Sequence, residues 1–249
     1  MTAQLRAELL KQRSTDTNLG LLSAMLGLVL LAVLLHGLGL PAENVSSTSE
    51  QLTVVLGWGE KLSAVFAALL GAMSITSEIR HGTIRPTFLV TPQRARVLVA
   101  KVLVSMLFGA GFGLIATAFA AGVGSGVLGA RGIESQLDPG DYALFVAGGT
   151  AAAALWAPIG LGIGAVVRNQ VPTLIGICAW LLFVEGLLVG DIAGVGDVGR
   201  FAPGAAAAAI SGQDPETLVA PAVGLLLLAL YAIAAALVGS LATVRRDVL

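Results

Sequence analysis

Thr76-Ser-Glu-Ile-Arg-His-Gly-Thr-Ile-Arg-Pro-Thr-Phe-Leu-Val-Thr-Pro-Gln-Arg-Ala-Arg96, with Lys101 shortly after it, is a polar, basic segment set between two apolar stretches. Arg80, Arg85, Arg94, Arg96 and Lys101 are 5 of the chain's 14 Lys and Arg residues. The hydrocarbon core of a bilayer does not host such a run of charge, so the segment lies outside lipid. Its sign assigns it to the cytoplasmic side. The apolar stretches on either side then read as transmembrane helices, and the fold class is an all-α membrane protein.

The rest of the composition agrees. Of 249 residues, 56% are hydrophobic and 12% charged, against about 25% charged in an ordinary soluble domain. The 32 glycines are too many for soluble helices but suit packed transmembrane ones. A net charge of −1 argues against nucleic acid as a partner. Cys178 is the single cysteine, which excludes an intramolecular disulfide. Residues 1–249 are read as one transmembrane domain.

A spanning helix takes about 20 mostly apolar residues. Six segments qualify: 19–40, 52–75, 97–128, 142–167, 171–190 and 218–244. The second contains Glu60 and Lys61, and its start is open. It runs instead from near Glu60 to about Arg80 if that charge pair marks its outer end. Arg6, Lys11 and Arg13 precede the first span in the manner of a signal peptide. At 22 residues the apolar run exceeds the roughly 7–15 of a cleavable one, so it is read as a retained span.

Six spans put both termini on one side. With the N-terminus inside, Arg6, Lys11, Arg13, Arg80, Arg85, Arg94, Arg96, Lys101, Arg168, Arg245 and Arg246 are cytoplasmic. Arg131 and Arg200 are outside and Lys61 is in or near a span, so the bias is eleven against two. That is a strong positive-inside pattern. Arg168-Asn-Gln170 reads as a tight inner turn. The loop from Asp191 to Glu216 embeds Phe201-Ala-Pro-Gly-Ala-Ala-Ala-Ala-Ala-Ile210. This run is too short to span but apolar enough to dip into the membrane as a re-entrant helix. An Ala-rich surface helix is the alternative.

Four Gly-x-x-x-Gly pairs, at Gly109/Gly113, Gly122/Gly126, Gly160/Gly164 and Gly186/Gly190, allow close helix contact without specifying a function. Glu185 lies within the fifth span. An intramembrane carboxylate costs roughly 2.5–3.5 kcal/mol at the bilayer centre, so it is expected to face protein or a watery cavity as a substrate-pathway residue. A hydrogen-bonded packing role is the plainer reading. Glu60 and Lys61 read as a neutralised pair near the outer end. His36 and His81 fall on opposite faces of the membrane and cannot share a site. There is no His-Glu-x-x-His zinc motif, no Gly-x-Ser-x-Gly elbow and no phosphate-binding Gly-x-x-x-x-Gly-Lys-Ser/Thr loop. Neither catalysis, a metal site nor nucleotide binding is expected in this chain.

The basic loop has its own grammar. Glu78 and Arg80 finish the second span, and Gly82 permits a sharp reversal. Pro86 and Pro92 bracket Phe88-Leu-Val90, and Pro92 is suited to opening the next helix. Setting topology needs basic residues but no apolar ridge. The ridge therefore favours a docking element.

Glu78-Ile-Arg-His-Gly-Thr-Ile-Arg85, followed by Pro92 and Arg94, resembles the loop between the second and third spans of ABC-2-type transporter permeases. Phe201-Ala-Pro-Gly-Ala is similar to a stretch that many bacterial members carry before the sixth span. The resemblance implies an exporter in the bacterial cytoplasmic membrane, built from two permeases and two ATPase subunits. ATP and Mg would bind the partner ATPase, with no cofactor in this chain. Residues 3–17 would be a short interfacial helix at the inner surface. Glu78, Gly82, Thr83, Arg85, Phe88, Pro92 and Arg94 would form the ATPase-coupling element. Apolar spans suit a lipophilic drug or lipid as substrate. The rivals are an ion-coupled secondary transporter using Glu185, and a membrane anchor for cytoplasmic machinery.

Overall fold

The computed structural model describes residues 2–83, 86, 94–189, 196–214 and 216–245. Every regular element among them is helical. The elements are α1 (Thr2–Arg13), α2 (Asp16–Gly39), α3 (Thr48–Arg80), α4 (Arg94–Ala130), α5 (Pro139–Val167), α6, α7 (Pro203–Ile210) and α8 (Pro221–Arg245). Helix α6 runs Gln170–Ala179, then through a π turn at Trp180–Val184 to a last turn at Glu185–Val189. Six of these, α2 to α6 and α8, are long and apolar enough to cross a membrane.

The span boundaries move by a few residues from those expected, and most at α3. This helix starts at Thr48 rather than near residue 52 or Glu60, and it continues to Arg80. Its start is set by Ser47, which accepts from the Glu50 amide while Glu50 reaches back to the Ser47 amide. This reciprocal cap satisfies two otherwise orphaned donors. Glu60 and Lys61 consequently lie inside the helix, not at its end.

The end of α3 is equally well specified. The Thr83 amide donates to the Glu78 carbonyl and the Gly82 amide to the Ile79 carbonyl, with Gly82 at φ +69°. This paired closure needs a left-handed residue after the helix, and glycine adopts it without a Cβ penalty. Asp138 caps α5 in the same reciprocal way as Ser47, with Pro139 in the first turn.

Helices α3 and α5 form the axis of the bundle. About 72% of the α3 span and 61% of the α5 span is buried, against 17% for α2 and 22% each for α6 and α8. Lipid supplies no hydrophobic drive between helices, so close backbone packing must hold them. A methyl group at Gly71 would overlap the Ala157 carbonyl, and one at Gly160 the Ala68 carbonyl. Gly109 and Gly113 meet Ala153 and Gly149 in the same fashion across α4 and α5. Two of the four Gly-x-x-x-Gly pairs are thus seams. Gly122, Gly126 and Gly186 face open space, and Gly190 lies outside the described residues.

At the end away from α1, buried Gln51 ties two loops together. Its amide nitrogen donates to the carbonyls of Val45 (3.1 Å) and Glu134 (3.0 Å), and its oxygen accepts from the Gln136 amide at 3.0 Å. Helix α7 is wedged among α3, α5 and α8, with Gly148 against the Ile210 carbonyl and Gly224 against Ala206.

Candidate functional site

Two clusters of buried polar side chains sit at opposite ends of the bundle. The first joins α1 to the adjacent ends of α3 and α4. The Lys101 ammonium donates to Glu8 Oε2 at 2.9 Å, to Glu78 Oε1 at 2.7 Å and to the Ser74 carbonyl at 3.1 Å. Lys11 donates to Glu8 Oε1 at 3.0 Å and to Glu78 Oε1 at 2.8 Å. Two acids face two bases, and three of the four are nearly sealed from solvent; Lys11 is half exposed. Burial draws the Lys11 ammonium down, but hydrogen bonds and charge from Glu78 and Glu8 outweigh it and hold its pKa above the ordinary value.

Glu78, the charge that finishes the second span, has Lys11 and Lys101 as its partners. The Lys101 side chain is 2% exposed. The reason is the face it occupies: Val97, Leu98 and Ala100 beside it are also buried, so its stem points into the bundle rather than toward water. Glu8 was not singled out. Its spacing from Lys11 suits a helical pair, but nothing local reports a partner 93 residues away.

The remaining loop positions divide. Gly82 and Thr83 form the closing turn of α3, with Thr83 exposed. The Arg94 backbone begins α4. Arg85, Phe88 and Pro92 lie outside the described residues.

The second cluster surrounds a cavity of about 330 Å³ between α3, α6, α7 and the segment after α7. Glu60 and Glu185 line it, only 4% and 5% exposed. Glu60 Oε2 accepts from Gln213 Nε2 at 3.3 Å. Gly212, at φ +73°, makes this contact possible. The Gln213 amide closes onto the Ala208 carbonyl and the Gly212 amide onto the Ala209 carbonyl, a reversal that aims Gln213 back at α3. Glu185 Oε1 accepts from the Gly204 amide in the first turn of α7, whereas Oε2 is buried with no hydrogen-bond partner among the described residues. A carboxylate at a helix N-terminus satisfies orphan donors and complements the dipole.

Glu60 and Lys61 are not an ion pair. Consecutive helical residues point about 100° apart at 3.6 residues per turn. Glu60 therefore turns inward, while the Lys61 ammonium lies 5.2 Å from the Trp58 ring centroid. His36 meets the same indole at a tilt of 40°, with ring centroids 4.9 Å apart. Glu185, expected to face protein or a cavity, does both. Gln213 and Trp58 were missed; the glycine before Gln213 was the available signal. Among the described residues no group of three His, Cys, Asp or Glu side chains is placed to hold a metal ion. No family model matches this chain, and no curated protein does, so its function has to be read from the chemistry of these two clusters.

Proposed function

We propose that this chain is the membrane permease subunit of an ATP-driven exporter of the ABC-2 type. One observation carries the reading: a charge-balanced, buried four-residue network grips α1 and both roots of the basic loop. Desolvating charges is costly, and a loop that only sets topology needs its charges in water, not in such a network. Locking three segments together suits an element that receives force from a docked partner and passes it into α3 and α4. In this reading the α1 end is cytoplasmic and α7 is a re-entrant helix on the outer side. Two ATPase subunits bind and hydrolyse ATP, and a second permease completes the pathway in a bacterial cytoplasmic membrane. A lipophilic drug or lipid moves outward by alternating access.

Affinity purification in mild detergent tests this. An ATPase subunit should accompany the wild-type chain and be lost, or its hydrolysis uncoupled from transport, in Glu78→Gln and Lys101→Met. Purification without any ATPase, from cells in which transport is intact, would overturn the reading. The buried Glu60 and Glu185 favour a second reading, an ion-coupled transporter. Transport that persists without ATP and follows a cation gradient would support it.

A further inference from the structure

The cavity between α3, α6 and α7 is lined by three carboxyl side chains, Glu60, Glu185 and Asp214, against one ammonium, Lys61, and the imidazole of His36. Its volume of about 330 Å³ falls at the lower end of the small-molecule range, about 300–1,000 Å³. Glu60 makes one hydrogen bond, to Gln213, and no ion pair among the described residues. Glu185 has one oxygen on the start of α7 and the other buried and unpartnered among the described residues. The ammonium of Lys61 acts on both carboxylates electrostatically but is drawn off toward the Trp58 ring. Asp214, bonded to Thr217 at 2.5 Å, adds further negative charge to the lining. The rest of the wall is largely apolar, including Val54, Leu181 and Leu218.

We propose that this cavity binds an apolar molecule carrying one protonated amine. A buried carboxylate is tolerated when it is paired and hydrogen-bonded. An ammonium supplies both charge and donors, whereas a neutral hydroxyl supplies only a donor. The aliphatic wall accepts the apolar body, and an ammonium that displaces Lys61 from the Trp58 ring, which His36 also contacts, gains a cation–π contact. Lys61 behaves as a tethered version of the ligand's head: it already uses the ring and lies near both acids. An incoming amine competes with it. As a substrate site this rests on the exporter reading; as a binding site it does not.

The test uses the purified full chain in detergent, without any ATPase. The sequence has three tryptophans, so a Trp156→Phe, Trp180→Phe background leaves Trp58 as the reporter. Titration with 1-adamantylamine should change Trp58 emission saturably. The neutral isostere 1-adamantanol, which partitions into micelles comparably, should bind at least about tenfold more weakly. Glu60→Gln should lower amine affinity about tenfold or more, whereas Lys61→Met should raise it. Misfolding cannot produce opposite effects of that kind. Equal binding of amine and alcohol, unchanged affinity in Glu60→Gln, weaker binding in Lys61→Met, or no saturable signal would each overturn the proposal. A second arm adds the reconstituted ATPase complex. Binding without stimulation of hydrolysis keeps the site but counts against its role as an exporter's substrate site.

Discussion

Lys101 and Lys11 contact the same two carboxylates but should not matter equally. Removing one member of a buried ion pair costs about 3–5 kcal/mol, because its partner is left charged and unpaired. Lys101→Met should fall in that range, measured by thermal or denaturant unfolding in detergent. Lys11 is half exposed, and surface pairs contribute about 0–1 kcal/mol. Lys11→Met should therefore mainly loosen α1, which limited proteolysis would report. The sign of the pH response follows from the raised Lys11 value. Its contribution is present below the ordinary value of 10.5 and fades only as pH climbs through the higher folded one. Protease protection of α1 should hold through neutral pH and fall only in strong alkali. At the other cluster, Glu185→Gln retains an oxygen to accept the Gly204 amide, whereas Glu185→Ala does not. Hydrogen exchange over residues 203–210 should stay slow in the first variant and quicken in the second.

At the scale of elements, the bundle depends on where glycine faces glycine or alanine. Gly160→Val drives a branched side chain into the Ala68 backbone, so α3 and α5 must separate. Overpacking typically costs about 1–3 kcal/mol, and backbone cannot yield as a side chain does. The variant should lose its monodisperse profile in gel filtration, whereas Gly122→Val, which meets nothing within 4 Å, should not. The helices themselves were legible in the sequence, because a span announces itself by length and hydropathy. Which of them are central was not. Gly122 and Gly160 sit in the same type of motif, and only three-dimensional packing separates seam from bare face. The site was legible in part for a similar reason. Glu78, Glu185 and Gly82 stand out as a charge at a span end, a charge inside a span and a glycine after a helix. Glu8, Lys101 and Gln213 acquire their meaning from partners 93, 23 and 153 residues away.

For the whole molecule, six membrane-crossing helices would return the chain to the side on which it began, and the charge bias predicts that this side is the cytoplasm. Single cysteines at Ser47 and Ser135, both exposed, should react with an impermeant thiol reagent in intact cells. One at Gln93 should not. Labelling at Gln93 from outside would invert the predicted topology and put the basic loop out of reach of the proposed ATPase. The Lys101 network adds a constraint on how the chain is made. Glu8 and Glu78 are synthesised before the lysine that lies between them in space, and Glu8 precedes it by 93 residues. At about 5–20 residues per second Glu8 waits roughly 5–20 s for Lys101, the second of its two lysine partners. Until then Lys11 is the one network lysine that links Glu8 to Glu78, and the second span is held to α1 more weakly. Ribosome-bound chains that end just before Lys101 should therefore keep an accessible amino-terminal segment, and those extended past the third span should not. A late lysine that latches two earlier acids would make translation the clock for assembly of this end of the bundle.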